Sequence, residues 1–246
     1  MDIIDKVAVV SGGGSGIGRA TVLALVERGA SVVVADVDEA AGQRTVDLVA
    51  GRKGTAVFAR CDVTEIDDLS RTFAFAIERF GQLDVAFNNA GVGGEDLFAD
   101  DPGDWKRVID IDLTAVIDAT RIAVREMERT GRGGVVINTA SLIGLGPMAD
   151  APVYAAAKAG VVNFSRSLAY LKEESCIRVN AICPELVDTP MAHGLGEERL
   201  EDLRAADEIL PPEEIAAGVV ELIEDDSRAG AVMRITIRDG RGYVPT

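Results

Sequence analysis

The chain is poor in positive charge. Its 246 residues carry 25 Lys and Arg against 41 Asp and Glu, a formal net charge of −16. DNA, RNA and anionic membranes each have to be met by a basic face, so none is expected as a partner. Cysteine and histidine are also scarce, with Cys61, Cys176 and Cys183 for the first and His193 alone for the second. Neither a C-x-x-C nor paired histidines occur, which argues against zinc, and no metal ligands are expected. An odd, sparse cysteine count fits a reducing cytoplasm. Nowhere do about 18 apolar residues stand together, the length that a membrane span requires. The opening "MDIIDKVAVV" has no basic flank and no long apolar core of the secretory kind. A cytoplasmic location is the expectation. Linkers, internal repeats and low-complexity stretches are missing too, and 1–246 reads as one domain.

What the chain has in quantity is apolar surface, 48% of its residues, enough for a core without disulfides or metals. Short β-branched runs at 6–11, 31–36, 55–60, 83–89, 133–141, 177–182 and 231–237 alternate with helical patterns at 16–29, 39–51, 65–80, 104–129, 153–174 and 211–225. The runs are apolar throughout rather than alternating, as strands covered on both faces should be. An α/β fold of the Rossmann type follows: a doubly wound, seven-stranded parallel sheet with helices on both faces. The charged stretch 185–210, with Gly194 and Gly196 as hinges, is expected to be a substrate-binding lid or a short amphipathic helix on a tether.

The first strand runs into "SGGGSGIG", Ser11–Gly18, and then a helix. Glycines in a strand-to-helix turn let backbone approach a pyrophosphate, whose charge suits the helix N-terminus. Asp36 ends the second strand, 18 residues past Gly18, where a carboxylate accepts from the adenosine ribose and repels a 2′-phosphate. Neither Ser15 nor Val37 offers a basic side chain to such a phosphate, so NAD is favoured over NADP. Arg19 and Ala20 stand where a P-loop needs Lys and Ser or Thr, which excludes that motif.

The spacing Gly12-x-x-x-Gly16-x-Gly18 resembles the short-chain dehydrogenase/reductase family. Further matches follow in order: "CDV" with Asp62, "NNAG" at 88–91, Ser141 placed 13 residues before Tyr154, the signature Tyr154-x-x-x-Lys158, and "IRVNAICPELVDTPM" at 177–191. The resemblance covers essentially the whole chain. It implies cofactor contacts from Gly12, Ser15, Gly16, Ile17 and Gly18 and from Asp36, with Asp62 and Val63 beside the adenine. It implies others from Asn89, Ala90 and Gly91, from Tyr154 and Lys158 at the nicotinamide ribose, and from Pro184 and Thr189 near the carboxamide. Family members are mostly dimers or tetramers, so a homo-oligomer is expected.

The chemistry implied is reversible hydride transfer between an alcohol carbon and nicotinamide, with Tyr154 as general base or acid and Ser141 orienting the substrate oxygen. A free tyrosine hydroxyl loses its proton near pH 10, so base chemistry at neutral pH asks for roughly 4 kcal/mol of help. One ammonium about 4 Å away at an effective dielectric of about 20 supplies that order of energy, and Lys158 lies one helical turn along. Leu142, Leu145, Met148, Met191 and Leu195 point to a secondary alcohol, or its ketone, on an apolar body.

Two acids depart from the family pattern. Asp112 stands where many members carry an asparagine that completes a catalytic tetrad. An ionised carboxylate about 8 Å from the reacting pair would oppose Lys158 by roughly 2 kcal/mol, so Asp112 should be protonated or turned toward a donor. Glu185 replaces a usual glycine and is expected to lie beside the nicotinamide or to point to solvent. These departures leave open a catalytically impaired NAD-binding regulator. An NADH-dependent carbonyl reductase is a third reading.

Overall fold

A computed structural model describes residues 1–94, 97–98 and 104–245. The expected domain range 1–246 therefore includes residues 95–96, 99–103 and 246, which lie outside the described set. Strand β1 (Val7–Ser11) shows how the core is organised. Side chains alternate across a strand, so Ala8 and Val10 enter one apolar cluster while Val7 and Val9 enter another. The first cluster lies beneath α1 (Gly16–Glu27) and α9 (Pro212–Glu224), where Val22, Leu25, Ile215 and Val219 are buried. The second lies beneath α3 (Ile66–Phe80) and α5 (Ala115–Thr130), around Leu69, Phe73, Ala123 and Met127. Both faces being covered, neither row of side chains meets water. This is why the strand runs carry no polar alternation.

The remaining strands are β2 (Ser31–Asp36), β3 (Thr55–Arg60), β4 (Val85–Asn88), β5 (Gly134–Thr139), β6 (Ile177–Pro184), β7 (Val232–Thr236) and β8 (Gly240–Tyr243). They form one sheet in the order β3-β2-β1-β4-β5-β6-β7-β8. Strands β1 to β7 are parallel, and β8 returns antiparallel along β7. The expected seven-stranded parallel sheet is thus an eight-stranded one with an antiparallel edge. The sequence "GRGY" has no apolar run to announce a strand. It is placed by a hairpin in which Gly240 takes φ +64° and the Asp239 N–H donates to Thr236 Oγ1 at 3.1 Å.

Strand β1 lies between β2 and β4, so the winding reverses there and the loops leaving β1 and β4 part to form a crevice at the carboxyl ends. Beyond it come α2 (Glu39–Leu48), α4 (Trp105–Ile109), α6 (Pro152–Ser167) and α7 (Leu171–Ser175). The single helix expected over 104–129 is α4 and α5 joined by a π-helical turn, Asp110–Thr114, in which the Ala115 N–H reaches back five residues to the Asp110 carbonyl. In 185–210, a 3₁₀ turn (Pro190–Leu195) precedes α8 (Glu197–Ala205), whose Leu200 and Leu203 are buried. A parallel bridge between Val187 and Leu210 closes the base of this excursion, and Arg204 forks onto Asp188 at 2.7 and 2.9 Å. Among the described residues no helix is long and apolar enough to cross a membrane.

Candidate active site

At the nucleotide end the backbone itself makes the site. Gly12 and Gly16 sit at φ +64° and +47°, where a side chain would be strained. A Cβ on Gly18 would stand 2.1 Å from the Gly12 carbonyl oxygen, so the turn can fold onto α1 only with glycine there. Ser15 caps α1 without a side-chain hydrogen bond, which leaves the first N–H groups of the helix free to meet an anion. Ile17 is half-buried against the core and anchors the first helical turn.

Asp36 is bonded into the glycine turn. Its Oδ2 accepts from the Gly14 N–H at 2.8 Å and its Oδ1 from the Asp38 N–H at 2.9 Å, so the carboxylate also clamps the glycine turn. The loop after β4 is tied to the same turn. Ser11 Oγ accepts from the N–H groups of Asn89 and Ala90 at 2.9 and 3.1 Å, and Asn89 Nδ2 donates to the Ser11 carbonyl. Asp62 is folded on its own loop, accepting from the Thr64 hydroxyl at 2.7 Å and the Thr64 N–H at 3.0 Å; these bonds hold its carboxyl below the usual range. Val63, beside it, packs partly buried on the cluster under α3. A groove of about 1000 Å³ runs along α1, past Ser15, Gly16, Asp36 and Thr189. Thr189 overhangs the turn so closely that a Cβ on Gly16 would lie 2.8 Å from its methyl carbon.

At the other end of the crevice the site is made of side chains. Ser141 follows β5, is 8% exposed, and its hydroxyl accepts from the Ile143 N–H at 3.3 Å, capping a 3₁₀ turn over Leu142–Leu145. Pro152 sets the first turn of α6, which carries Tyr154 half-buried and Lys158 2% exposed on one face. The Lys158 ammonium lies 5.5 Å from the Tyr154 ring centre. It donates to the Thr139 carbonyl at 3.1 Å and meets Asp112 Oδ1 at 3.0 Å. Helix α6 is approached closely at both ends of this pair. A Cβ on Gly94 would come within 2.6 Å of the Tyr154 Cβ, and one on Gly144 within 2.7 Å of the Lys158 main chain.

Asp112 does not oppose Lys158 from a distance of about 8 Å; it touches it. Of the two expected outcomes, the carboxylate is turned toward donors: the ammonium, and the Val92 N–H at 3.2 Å. The π-helical turn carries Asp112 to this fully buried position, a common use of such turns at functional sites. Burial pushes its carboxyl above the ordinary carboxylate range, and Lys158 pulls in the opposite direction. Gly91 stands over the pair: a Cβ there would lie 2.7 Å from Asp112 Oδ1 and 3.5 Å from Lys158 Nζ.

Glu185 does not point to solvent. Pro184 ends β6 in register with Ile235, and the Glu185 side chain then crosses to β7, where Oε2 accepts from the Ile237 N–H at 2.9 Å. It closes the end of a strand. A buried polar chain also runs beneath the site. Asn88 Nδ2 donates to Asn138 Oδ1 at 2.8 Å and to Thr120 Oγ1 at 3.1 Å, and Asn138 Nδ2 donates to Ser165 Oγ at 3.0 Å. An asparagine inside each of two otherwise apolar strands is the signal that could have found it.

The model of the short chain dehydrogenase family matches residues 6–200. The chain is 37% identical to a 15-hydroxyprostaglandin dehydrogenase [NAD(+)] of Bos taurus over 98% of its own length and 94% of that protein's. It is 36% identical to a cyclohexanol dehydrogenase of Acinetobacter sp. (strain SE19), covering 91% of this chain and 89% of that one. Among solved structures, a short-chain type dehydrogenase/reductase from Mycobacterium marinum superposes with a TM-score of 0.87 at 30% identity, covering 96% of this chain and 95% of the other. Levodione reductase gives 0.84 at 31%, covering 95% and 96%. The order of motifs along the chain, the crevice at the β1–β4 reversal and these matches agree: the protein belongs to the short-chain dehydrogenase family.

Proposed function

We propose that the protein is an NAD-dependent oxidoreductase that interconverts a secondary alcohol with an apolar body and its ketone, with Tyr154 as the proton carrier. The observation that carries this reading is Lys158, buried at one side of the Tyr154 ring and held there by Thr139 and Asp112. A lysine that merely decorated a helix would be solvated. NAD suits the nucleotide end, since a turn that a Cβ would fill and a helix N-terminus without a side-chain cap accept a pyrophosphate, and Asp36 stands against a 2′-phosphate. Held by these residues, NAD would supply the hydride acceptor for the alcohol carbon and, in its reduced form, the hydride donor for the ketone. The chain's part is to place the hydroxyl and handle its proton. Ser141 donates to the substrate oxygen and orients it, Tyr154 removes the proton during oxidation and gives it back in reduction, and Lys158 favours the phenolate.

Leu145, Met191 and Leu195, on the segments that follow Ser141 and Thr189, are 36%, 50% and 50% exposed, apolar side chains that suit a substrate without strong charge. The 185–210 segment serves as the lid in this reading, with Gly194 and Gly196 as its hinges above the base that the Val187–Leu210 bridge closes. The relatives named for 15-hydroxyprostaglandin and cyclohexanol support a secondary alcohol, and the first of them supports NAD. The test is a screen of secondary alcohols with NAD+ and NADP+, following the absorbance of the reduced cofactor. Turnover with NAD+ well above that with NADP+ is expected. NAD+ binding without turnover of any alcohol would overturn the enzymatic reading.

A further inference from the structure

The Lys158 ammonium has three N–H donors. One goes to the Thr139 carbonyl, and one to Asp112 Oδ1 at 3.0 Å. Asp112 is 0% exposed, and its Oδ2 is buried with no hydrogen-bond partner. The charged and titratable groups that meet it are few. Lys158 meets it from α6, and Asp110 on its own turn is exposed. Lys158 is thus the only cation in contact with this carboxylate among the described residues. Its negative charge is not spread over a network but set against one ammonium, the one that is to favour the phenolate.

We propose that Asp112 is a positioning residue that both fixes Lys158 and offsets its charge, so that proton removal by Tyr154 begins at a higher pH than it would with an uncharged side chain at residue 112. The inference rests on the role of Tyr154 given above. With the carboxylate 3.0 Å from the Lys158 ammonium, and that ammonium 5.5 Å from the phenol ring centre, the carboxylate lies within about 8.5 Å of the ring centre. At an effective dielectric of about 20 that displaces the phenol's ionisation by roughly one to one and a half pH units, a ten- to thirtyfold effect below the midpoint.

Asp112→Asn removes the charge and keeps an oxygen for Lys158; Asp112→Ser does the same should the amide not fold, as thermal melting would reveal. Two measurements are made on each variant and on the parent. One is the pH profile of kcat/KM with NAD+ and a secondary alcohol. The other is the ultraviolet titration of tyrosinate in the protein without cofactor, with the Tyr154 contribution isolated by subtracting Tyr154→Phe. Tyr243, raised to about 12 by burial and by Glu221, stays outside the window. The acid limb and the titration midpoint should both move to lower pH by roughly one unit. Superimposable curves, or a move to higher pH, would overturn the proposal. If the parent turns over no alcohol, the functional reading fails, and the tyrosinate titration still decides the role of Asp112.

Discussion

The two ends of the crevice solve the burial of charge in opposite ways. At the nucleotide end Asp36 is half-exposed and both its oxygens accept main-chain N–H groups, from Gly14 and Asp38. The carboxylate there is part of the scaffold, and the site it shapes is backbone. At the Tyr154 end Asp112 is fully buried, one oxygen shared between Lys158 and the Val92 N–H and the other without a partner. An incompletely satisfied buried ion pair is poor stabilisation, since desolvation offsets most of the attraction. What such a pair can do well is hold an ammonium in one place and set its effect on a neighbour. The first acid therefore serves shape, and the second serves charge.

Substitutions can break this contrast. Gly18→Ala should be the most damaging, because its Cβ meets the Gly12 carbonyl at 2.1 Å and backbone must give way. Roughly 3 kcal/mol of stability should be lost, together with measurable NAD+ binding, as melting and calorimetry would show. Asp36→Ala should come next. If the carboxylate clamps the turn, melting temperature and NAD+ affinity fall together, by roughly 1–2 kcal/mol each; a loss of affinity with an unchanged melt would reduce Asp36 to a ribose contact. Glu185→Gln should do least. The amide still offers an oxygen to the Ile237 N–H, so stability should change by about 0.5 kcal/mol. NAD+ and NADH affinities should stay in the parent's ratio, and a selective loss of NAD+ would put the Glu185 charge back beside the nicotinamide.

The sheet, its helices and the crevice were legible because covered strands demand apolar runs, and the glycine turn because only backbone can approach so closely. Strand β8 was not, since "GRGY" is placed by hairpin geometry and by the Tyr243 hydroxyl donating to Glu221 at 2.9 Å. The pairing of Tyr154 with Lys158 was legible from helical spacing. The positions of Asp112 and Glu185 were not: one depends on a π-helical turn that shifts the register of a helix, the other on the neighbouring strand's free N–H. Both are answers to unsatisfied groups elsewhere in the fold, and such demands leave no trace in local sequence.

The account stands on Tyr154 carrying the proton in a site that binds its nucleotide independently. Measuring NADH binding by fluorescence alongside alcohol oxidation in Tyr154→Phe tests this directly. Turnover should fall by at least about a hundredfold while NADH affinity stays within a few-fold of the parent. Turnover at the parental rate in Tyr154→Phe would contradict the account.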